Sequence, residues 1–318
     1  MKFQETHFED YIQSSEVNNL HPKIEILSKL FPDSIDNLRN CLFYGPEGVG
    51  KYSQVLKIIK KYSNSGLKYE KKISITFNKI QYFFKISDIH IEIDMQLLGC
   101  NSKLFWNTIY NQIVDVAASK MNNTHIIVCK NFQDIHSELL DDFYSYMQTT
   151  QYNSIKLIYF IVSDNISFIP DNIINITRLI PIQRMNKSKI AQCFNNKVKN
   201  KVGEISNLKN IRSNITQLTN PHFIICDRII SIILDIENLN FLSIRENLYD
   251  IFIYNLNLYE CIWYIITSLI NDKYIKEPLV SDLLVKTFSF LKYYNNNYRP
   301  IYHLENYVFY LIKKIHEL

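Results

Sequence analysis

Glycine is rare in this chain, with only six in 318 residues, and cysteine is equally rare, with six. The cysteines (Cys41, Cys100, Cys129, Cys193, Cys226 and Cys261) are widely scattered, with no CxxC pair and no Cys/His ligand spacing. That pattern argues against a sequence-encoded zinc motif and against a disulfide framework, and fits a reducing interior. No apolar run reaches the roughly 18 residues that a membrane span needs. The opening residues, MKFQETHFEDYIQ, lack the charged and apolar regions of a secretory leader, so an intracellular, soluble protein without a membrane partner is expected. A formal net charge of +4 is too small to argue nucleic-acid binding by itself, and any such contact needs a local patch.

What is present is a globular composition: 47% hydrophobic and 21% charged residues, enough for two or three compact units. The wealth of Lys, Asn, Ile and Tyr is compatible with the residue bias of an AT-rich genome. Short β-branched or aromatic runs at 40–44, 71–77, 80–86, 90–93, 125–129 and 156–162 predict strands. Helical spacing predicts helices over 53–62, 103–119 and 134–148. Strands alternating with helices over 40–180 indicate an α/β fold, an open parallel sheet with covering helices. Beyond Arg184 the pattern becomes helical throughout. The expected division is an α/β core at 1–183, a small helical lid at 184–236 and an all-helical unit at 237–318. In the last, Leu304, Tyr307, Val308, Leu311, Ile312 and Ile315 form one broad apolar stripe.

The segment Gly45-Pro-Glu-Gly-Val-Gly-Lys51 carries three of the six glycines and has the G-x-x-x-x-G-K pattern of a phosphate-binding loop. It lies between a predicted strand and a predicted helix. Glycines there let backbone N–H groups curl around phosphate oxygens, and the helix N-terminus adds its positive dipole end. The candidate nucleotide-binding residues are Gly45, Pro46, Glu47, Gly48, Val49, Gly50, Lys51, Tyr52 and Ser53. Lys51 would reach the β- and γ-phosphates. The next position usually supplies a Ser or Thr hydroxyl to Mg²⁺. Here it is Tyr52, too bulky to place its oxygen at the same point, and Ser53 is turned away by about 100° of helix. A relic loop that only stabilises the strand–helix turn is the alternative reading.

These residues resemble a known family. Leu42-Phe-Tyr-Gly-Pro-Glu-Gly-Val-Gly-Lys51 is similar to the LLYGPxGxGK segment of replication factor C small subunits, the AAA+ loaders of sliding clamps. Three later segments follow in the family's order: Ser87–Asp94 with Leu98–Ser102, the helical segment Asp134–Gln148, and Arg299-Pro-Ile-Tyr-His-Leu-Glu305, which is similar to an IYHLE motif in the collar helix. The non-catalytic type of small subunit is the nearest branch. The resemblance implies an AAA+ core, a helical lid and a helical collar for oligomerisation. It also implies ATP or ADP as ligand, and as partners the sister clamp-loader subunits, a sliding clamp and, through the complex, primer-template DNA. The nucleus or a viral replication site is the implied location.

The departures from the family all concern hydrolysis. Its Walker B Asp and Glu fall on Lys130 and Asn131. A lysine cannot ligate Mg²⁺ and an asparagine cannot act as a general base, so neither Mg²⁺ nor ATP hydrolysis is expected at this site. Lys130 could neutralise phosphate or simply form a salt bridge; Asp134 lies nearby but off the motif's spacing. The family's trans-acting arginine falls on Asn175-Ile176-Thr177, leaving Arg178 as a displaced candidate or an ordinary surface residue. Thr219-Asn-Pro-His222 replaces the arginine-bearing lid segment. No catalytic residue or metal ligand is assigned. Lys187, Lys189, Lys197, Lys199 and Lys201 are a basic run that reads as a solvated helix face or a DNA contact, and the helix near Ser137, which the family turns toward DNA, lacks Lys and Arg. Trp263, Phe288, Tyr293, Tyr294, Tyr298, Tyr302, Tyr307 and Tyr310 read either as plain core or as a surface for sister subunits. Two other functions remain open: another P-loop ATPase, and a stand-alone nucleic-acid-binding protein derived from the family.

Overall fold

The computed structural model describes residues 7–17, 19–22, 31–77, 80–99, 101–120, 123–148, 155–186, 188–189, 221–237, 239–254, 256–294 and 299–316. The chain divides into two compact units, Met1–Ile215 and Thr216–Leu318. Among the described residues no helix is long and apolar enough to cross a membrane.

The first unit is an α/β fold built on a seven-stranded sheet: β1 (Cys41–Tyr44), β2 (Lys71–Phe77), β3 (Ile80–Ile86), β4 (His90–Asp94), β5 (Thr124–Lys130), β6 (Lys156–Ser163) and β7 (Arg178–Pro181). Their order is β2-β3-β4-β5-β6-β1-β7. The run from β4 to β7 is parallel, while β2 and β3 add an antiparallel hairpin at one edge. Among the described residues of this unit the α-helices are α1 (Phe8–Val17), α2 (Lys51–Lys60), α3 (Ser102–Ala118), α4 (Ser137–Gln148) and α5 (Asp171–Asn175). The six predicted strands and three predicted helices are present; β2 and β3 have the expected ends, and the others differ by one to three residues. Helix α2 starts two residues earlier than its apolar spacing suggested, because Gly50 in the left-handed region acts as its N-cap. Helix α4 starts later because Asn131, also left-handed, opens a separate 3₁₀ turn at Phe132–Asp134. Neither α1 nor β7 was predicted. Helix α1 buries only Phe8, Ile12 and Ser15, and β7 is an edge strand with one buried residue, so both carry weak periodic signals.

The continuous apolar strands have two buried faces. Leu42, Ile127, Cys129, Tyr159 and Ile161 share a core with Trp106, Ile109 and Ile113 of α3 and Leu139 and Phe143 of α4. Their sequence neighbours Cys41, Phe43, Ile126, Val128, Ile158, Phe160 and Val162 point the other way and pack on Val55, Leu56, Ile58 and Ile59 of α2 and on Phe8 and Ile12 of α1. Strand alternation thus supplies both cores, and each such side chain contributes about 1.5–3 kcal/mol of transfer free energy.

Among the described residues the second unit holds five helices: α6 (Pro221–Leu234), α7 (Phe241–Ile253), α8 (Leu258–Asn271), α9 (Glu277–Tyr294) and α10 (Pro300–Ile315). Of the segment expected to form a lid, 190–220 lies outside the described residues, while Ile225, Cys226, Ile229 and Ile233 of α6 share the core of this unit. The stripe on α10 packs as expected, with Leu304, Tyr307, Val308, Leu311 and Ile312 buried. Its Glu305 is also buried and takes two bonds from Arg245 of α7, from Nε at 2.5 Å and from a terminal nitrogen at 3.0 Å. This acid of the IYHLE-like segment therefore ties two helices together. The aromatic excess divides: Tyr307 is core, whereas Trp263, Phe288, Tyr293 and Tyr302 are exposed. Tyr298 lies outside the described residues.

Candidate functional site

Strand β1 lies between β6 and β7, both of which follow it in sequence, so the chain leaves β1 at a point where the sheet's connections diverge. In open α/β sheets ligands bind in the crevice beyond the strand ends at such a point. The Gly45–Lys51 loop occupies that place. Its backbone needs glycine for two separate reasons. At Gly45 an added Cβ would lie 2.0 Å from the carbonyl oxygen of Ile182, whose own N–H donates to Tyr44 O at 2.7 Å. At Gly48 and Gly50 the requirement is conformational, with φ of 68° and 91°. Val49 is fully buried, and its carbonyl lies 2.7 Å from Nε2 of the buried His21. Burial lowers the His21 pKa, the bond to Val49 works against that, and Lys189 lowers it further.

Lys51 turns back into this loop. Its ammonium donates to the carbonyls of Gly45 and Pro46, both at 2.7 Å, and to Asp164 Oδ1 at 2.5 Å. Lys51 is 7% exposed. Asp164 immediately follows β6 and was not singled out from the sequence, although its place just after an apolar strand marks it as a residue at the ligand-facing end of the sheet.

Tyr52 and Lys130 meet on the same face of the sheet. Lys130 has the strand parity of Ile126 and Val128, which places it on the α2 side. Glu92 of β4, 2% exposed, lies between them. The Tyr52 hydroxyl donates to Glu92 Oε1 at 2.5 Å, and Lys130 Nζ lies 3.3 Å from Glu92 Oε2 and 5.1 Å from the centre of the Tyr52 ring. His90 Nε2 is 3.5 Å from the same carboxylate. Burial alone would raise the Glu92 pKa, but His90, Lys130 and Tyr52 together hold it below its ordinary value. Burial and the Glu92 charge push the Tyr52 pKa well up, so the phenol stays a donor. Tyr11 of α1 packs edge-on against the Tyr52 ring, with centroids 4.8 Å apart. The salt-bridge reading of Lys130 is thus realised, and its partner is a residue that spacing did not suggest.

Asn131 lies across from this network, and its Nδ2 donates to Asp94 Oδ1 at 2.9 Å. Asp134, one short turn later, has an exposed edge, yet partial burial and the charges of Asp164 and Asp94 raise its pKa to about 6. Asp94 at the end of β4 and Asp164 after β6 thus both act on Asp134, and Gln133 joins two of the three through Asp164 N–H at 3.2 Å and Asp134 Oδ2 at 3.3 Å. Ser53 is partly buried on the first turn of α2.

The other candidate residues are not part of this constellation. Arg178 begins β7 opposite Cys41, at the far end of β1 from the loop, and its guanidinium lies 5.3 Å from the centre of the Phe31 ring. It lines a cleft of about 480 Å³ with Phe31, Pro32, Leu38, Cys41 and Thr177. Of the basic run, Lys189 donates to Leu20 O at 2.9 Å; Lys187, Lys197, Lys199 and Lys201 lie outside the described residues. Ser137 opens α4 with Glu138 beside it, an acidic first turn.

No known protein family's sequence pattern matches the chain, and no curated protein matches it. The geometry itself is a glycine-bearing loop at a sheet switch point, with Lys51 bonded within it and Lys130 paired with the buried Glu92.

Proposed function

We propose that this chain is an architectural subunit of a clamp loader of the replication factor C type, with an AAA+ core and a helical collar, that accommodates ATP or ADP without hydrolysing it. The observation that carries the reading is the Tyr52–Glu92–Lys130 network. A divalent cation beside the γ-phosphate needs a small hydroxyl and a carboxylate. Here the hydroxyl belongs to a phenol already bonded to Glu92, and the strand-end side chain is a cation. A fixed ammonium can offset phosphate charge, but it cannot organise an attacking water. The donor set therefore does not fit Mg²⁺ at the usual place. The loop fits phosphate better: Lys51 and the N-terminus of α2 remain at its mouth, and Lys51 would exchange Asp164 for the nucleotide.

The assembly role draws support from the second unit, which leaves Leu242, Ile253, Trp263, Val285 and Tyr293 at its surface while keeping a complete core of its own. Side chains of this kind are what a contact with sister subunits would cover. In this reading hydrolysis is left to neighbouring subunits, and the sliding clamp and primer-template DNA are met through the complex, in the nucleus or at a viral replication site. The test is affinity purification of the tagged full chain from its native source, with partners identified by mass spectrometry, together with ATP turnover on the purified chain. Recovery of several related loader subunits and a sliding clamp, with no turnover by the isolated chain, is the expected result. A partner-free monomer, or turnover abolished by Lys51→Ala, would overturn it.

A further inference from the structure

The helical unit brings together three residues that the sequence keeps apart. His222 and Cys226 are one helical turn apart on α6, on the same face. Cys261 lies in the first turn of α8. The ligand atoms of all three lie within 4.8 Å of one another. We propose that His222, Cys226 and Cys261 form a zinc site that ties α6 to α8, its fourth position held by water or another exchangeable ligand. This site is independent of the nucleotide reading above.

The geometry is close to what the ion requires. Zinc bonds of about 2.3 Å to sulfur and about 2.0 Å to nitrogen put tetrahedral ligand atoms roughly 3.3–3.8 Å apart, so side-chain rotations of an ångström or less complete the site. Two thiolates and an imidazole select a soft or borderline ion over Mg²⁺ or Ca²⁺. Cys226 and Cys261 have no exposed surface, and Cys226 Sγ sits 4.0 Å from the Cys261 carbonyl, so the two helices are already in close contact at this level. Buried thiols alone are ordinary small apolar groups. The histidine is the informative member: a half-buried imidazole, the most metal-seeking of side chains at neutral pH, sits beside two thiols at the edge of an Ile-rich core of Ile225, Ile229, Ile262 and Ile265.

The imidazole is also held in place. Phe223 and Tyr264 meet its ring edge-on, with centroids 5.2 and 5.7 Å away, and the Tyr264 hydroxyl is anchored on Asp227 at 2.8 Å. Binding would release one proton from each thiol as the Zn–S bonds form, and because the site exists only in the folded unit, the binding free energy would stabilise it. The scattered spacing of the cysteines, which argues against a zinc motif in the sequence, is no obstacle to a site assembled by helix packing.

The experiment is a Co²⁺ titration of the full chain, purified under reducing conditions and stripped with a chelator, followed by displacement with Zn²⁺. The expected result is saturation at one equivalent, with thiolate-to-cobalt charge-transfer absorption and the intense visible bands of tetrahedral Co²⁺, and a higher Tm with Zn²⁺. His222→Gln should weaken binding by at least about tenfold, and Cys261→Ser should abolish the charge-transfer band while leaving the helical circular dichroism intact. Weak octahedral cobalt absorption alone, or a Tm indifferent to Zn²⁺, would overturn the proposal. The titration of the unaltered chain decides the matter even if Cys261→Ser fails to fold.

Discussion

The hydroxyl of Tyr52, the residue after the loop lysine, donates to Glu92 at 2.5 Å, and Glu92 is 2% exposed on a strand in the middle of the sheet. The two residues have become structurally dependent on each other. Burial opposes ionisation of Glu92, and His90, Lys130 and Tyr52 together hold its carboxyl below the ordinary range. Tyr52→Phe leaves the buried carboxylate short of one donor and should cost about 1–3 kcal/mol. Lys130→Met removes its main counter-charge. In a double-mutant cycle followed by urea unfolding, the two changes should be non-additive, because they act on one carboxylate. Strict additivity would separate Tyr52 from the charge network.

Lys51 and Asp164 make a second testable pair. In the present arrangement Asp164 holds the ammonium that a bound phosphate would need. Asp164→Asn keeps the shape and removes the charge, so it should tighten binding of a fluorescent ATP or ADP analogue by about fivefold, near 1 kcal/mol. Anisotropy titration without Mg²⁺ reads this directly. No binding by either protein would remove the nucleotide from the proposed function and leave the loop as a structural turn.

The loop glycines should differ in what they tolerate. Gly45→Ala drives a Cβ into the Ile182 carbonyl, and backbone must move, so a loss of about 3 kcal/mol or more is expected. Gly50→Ala meets no atom within 4 Å and suffers only its positive φ, for about 1 kcal/mol. Thermal unfolding of the two variants should give that order.

Two groups near the loop give stability opposite dependences on pH. Asp134 has a folded pKa of about 6 against an ordinary carboxylate value near 4, so the folded state holds the extra proton between them. Its contribution therefore declines as pH rises from about 4 to about 6, and Asp134→Asn should stabilise the protein at pH 7.5 by roughly 1 kcal/mol, less than the full linkage because water reaches the residue. His21 behaves the other way: its folded pKa is lowered, so the unfolded chain takes up the proton first and stability falls as pH drops below about 6.5. His21→Gln should reduce the loss of urea midpoint between pH 7.5 and pH 5.5.

The sequence by itself determined the strand–loop–helix unit around Gly45–Lys51, the apolar strands of a two-faced sheet and the amphipathic stripe of the last helix. Each is a local pattern: a glycine constraint, a run length or a 3.6-residue period acts over fewer than twenty residues. It also singled out Tyr52, Lys130 and Asn131, through a resemblance that sets them where the clamp-loader family carries its hydrolytic residues. What those side chains bond to was decided only by the tertiary structure. The bonds Tyr52–Glu92, Lys130–Glu92 and Lys51–Asp164 span 40, 38 and 113 residues. No periodicity reaches across such separations; the sheet order does, by setting the ends of β4, β5, β6 and β1 side by side. The same holds for Cys226 and Cys261, which become neighbours only because the apolar faces of two helices have one way to pack together.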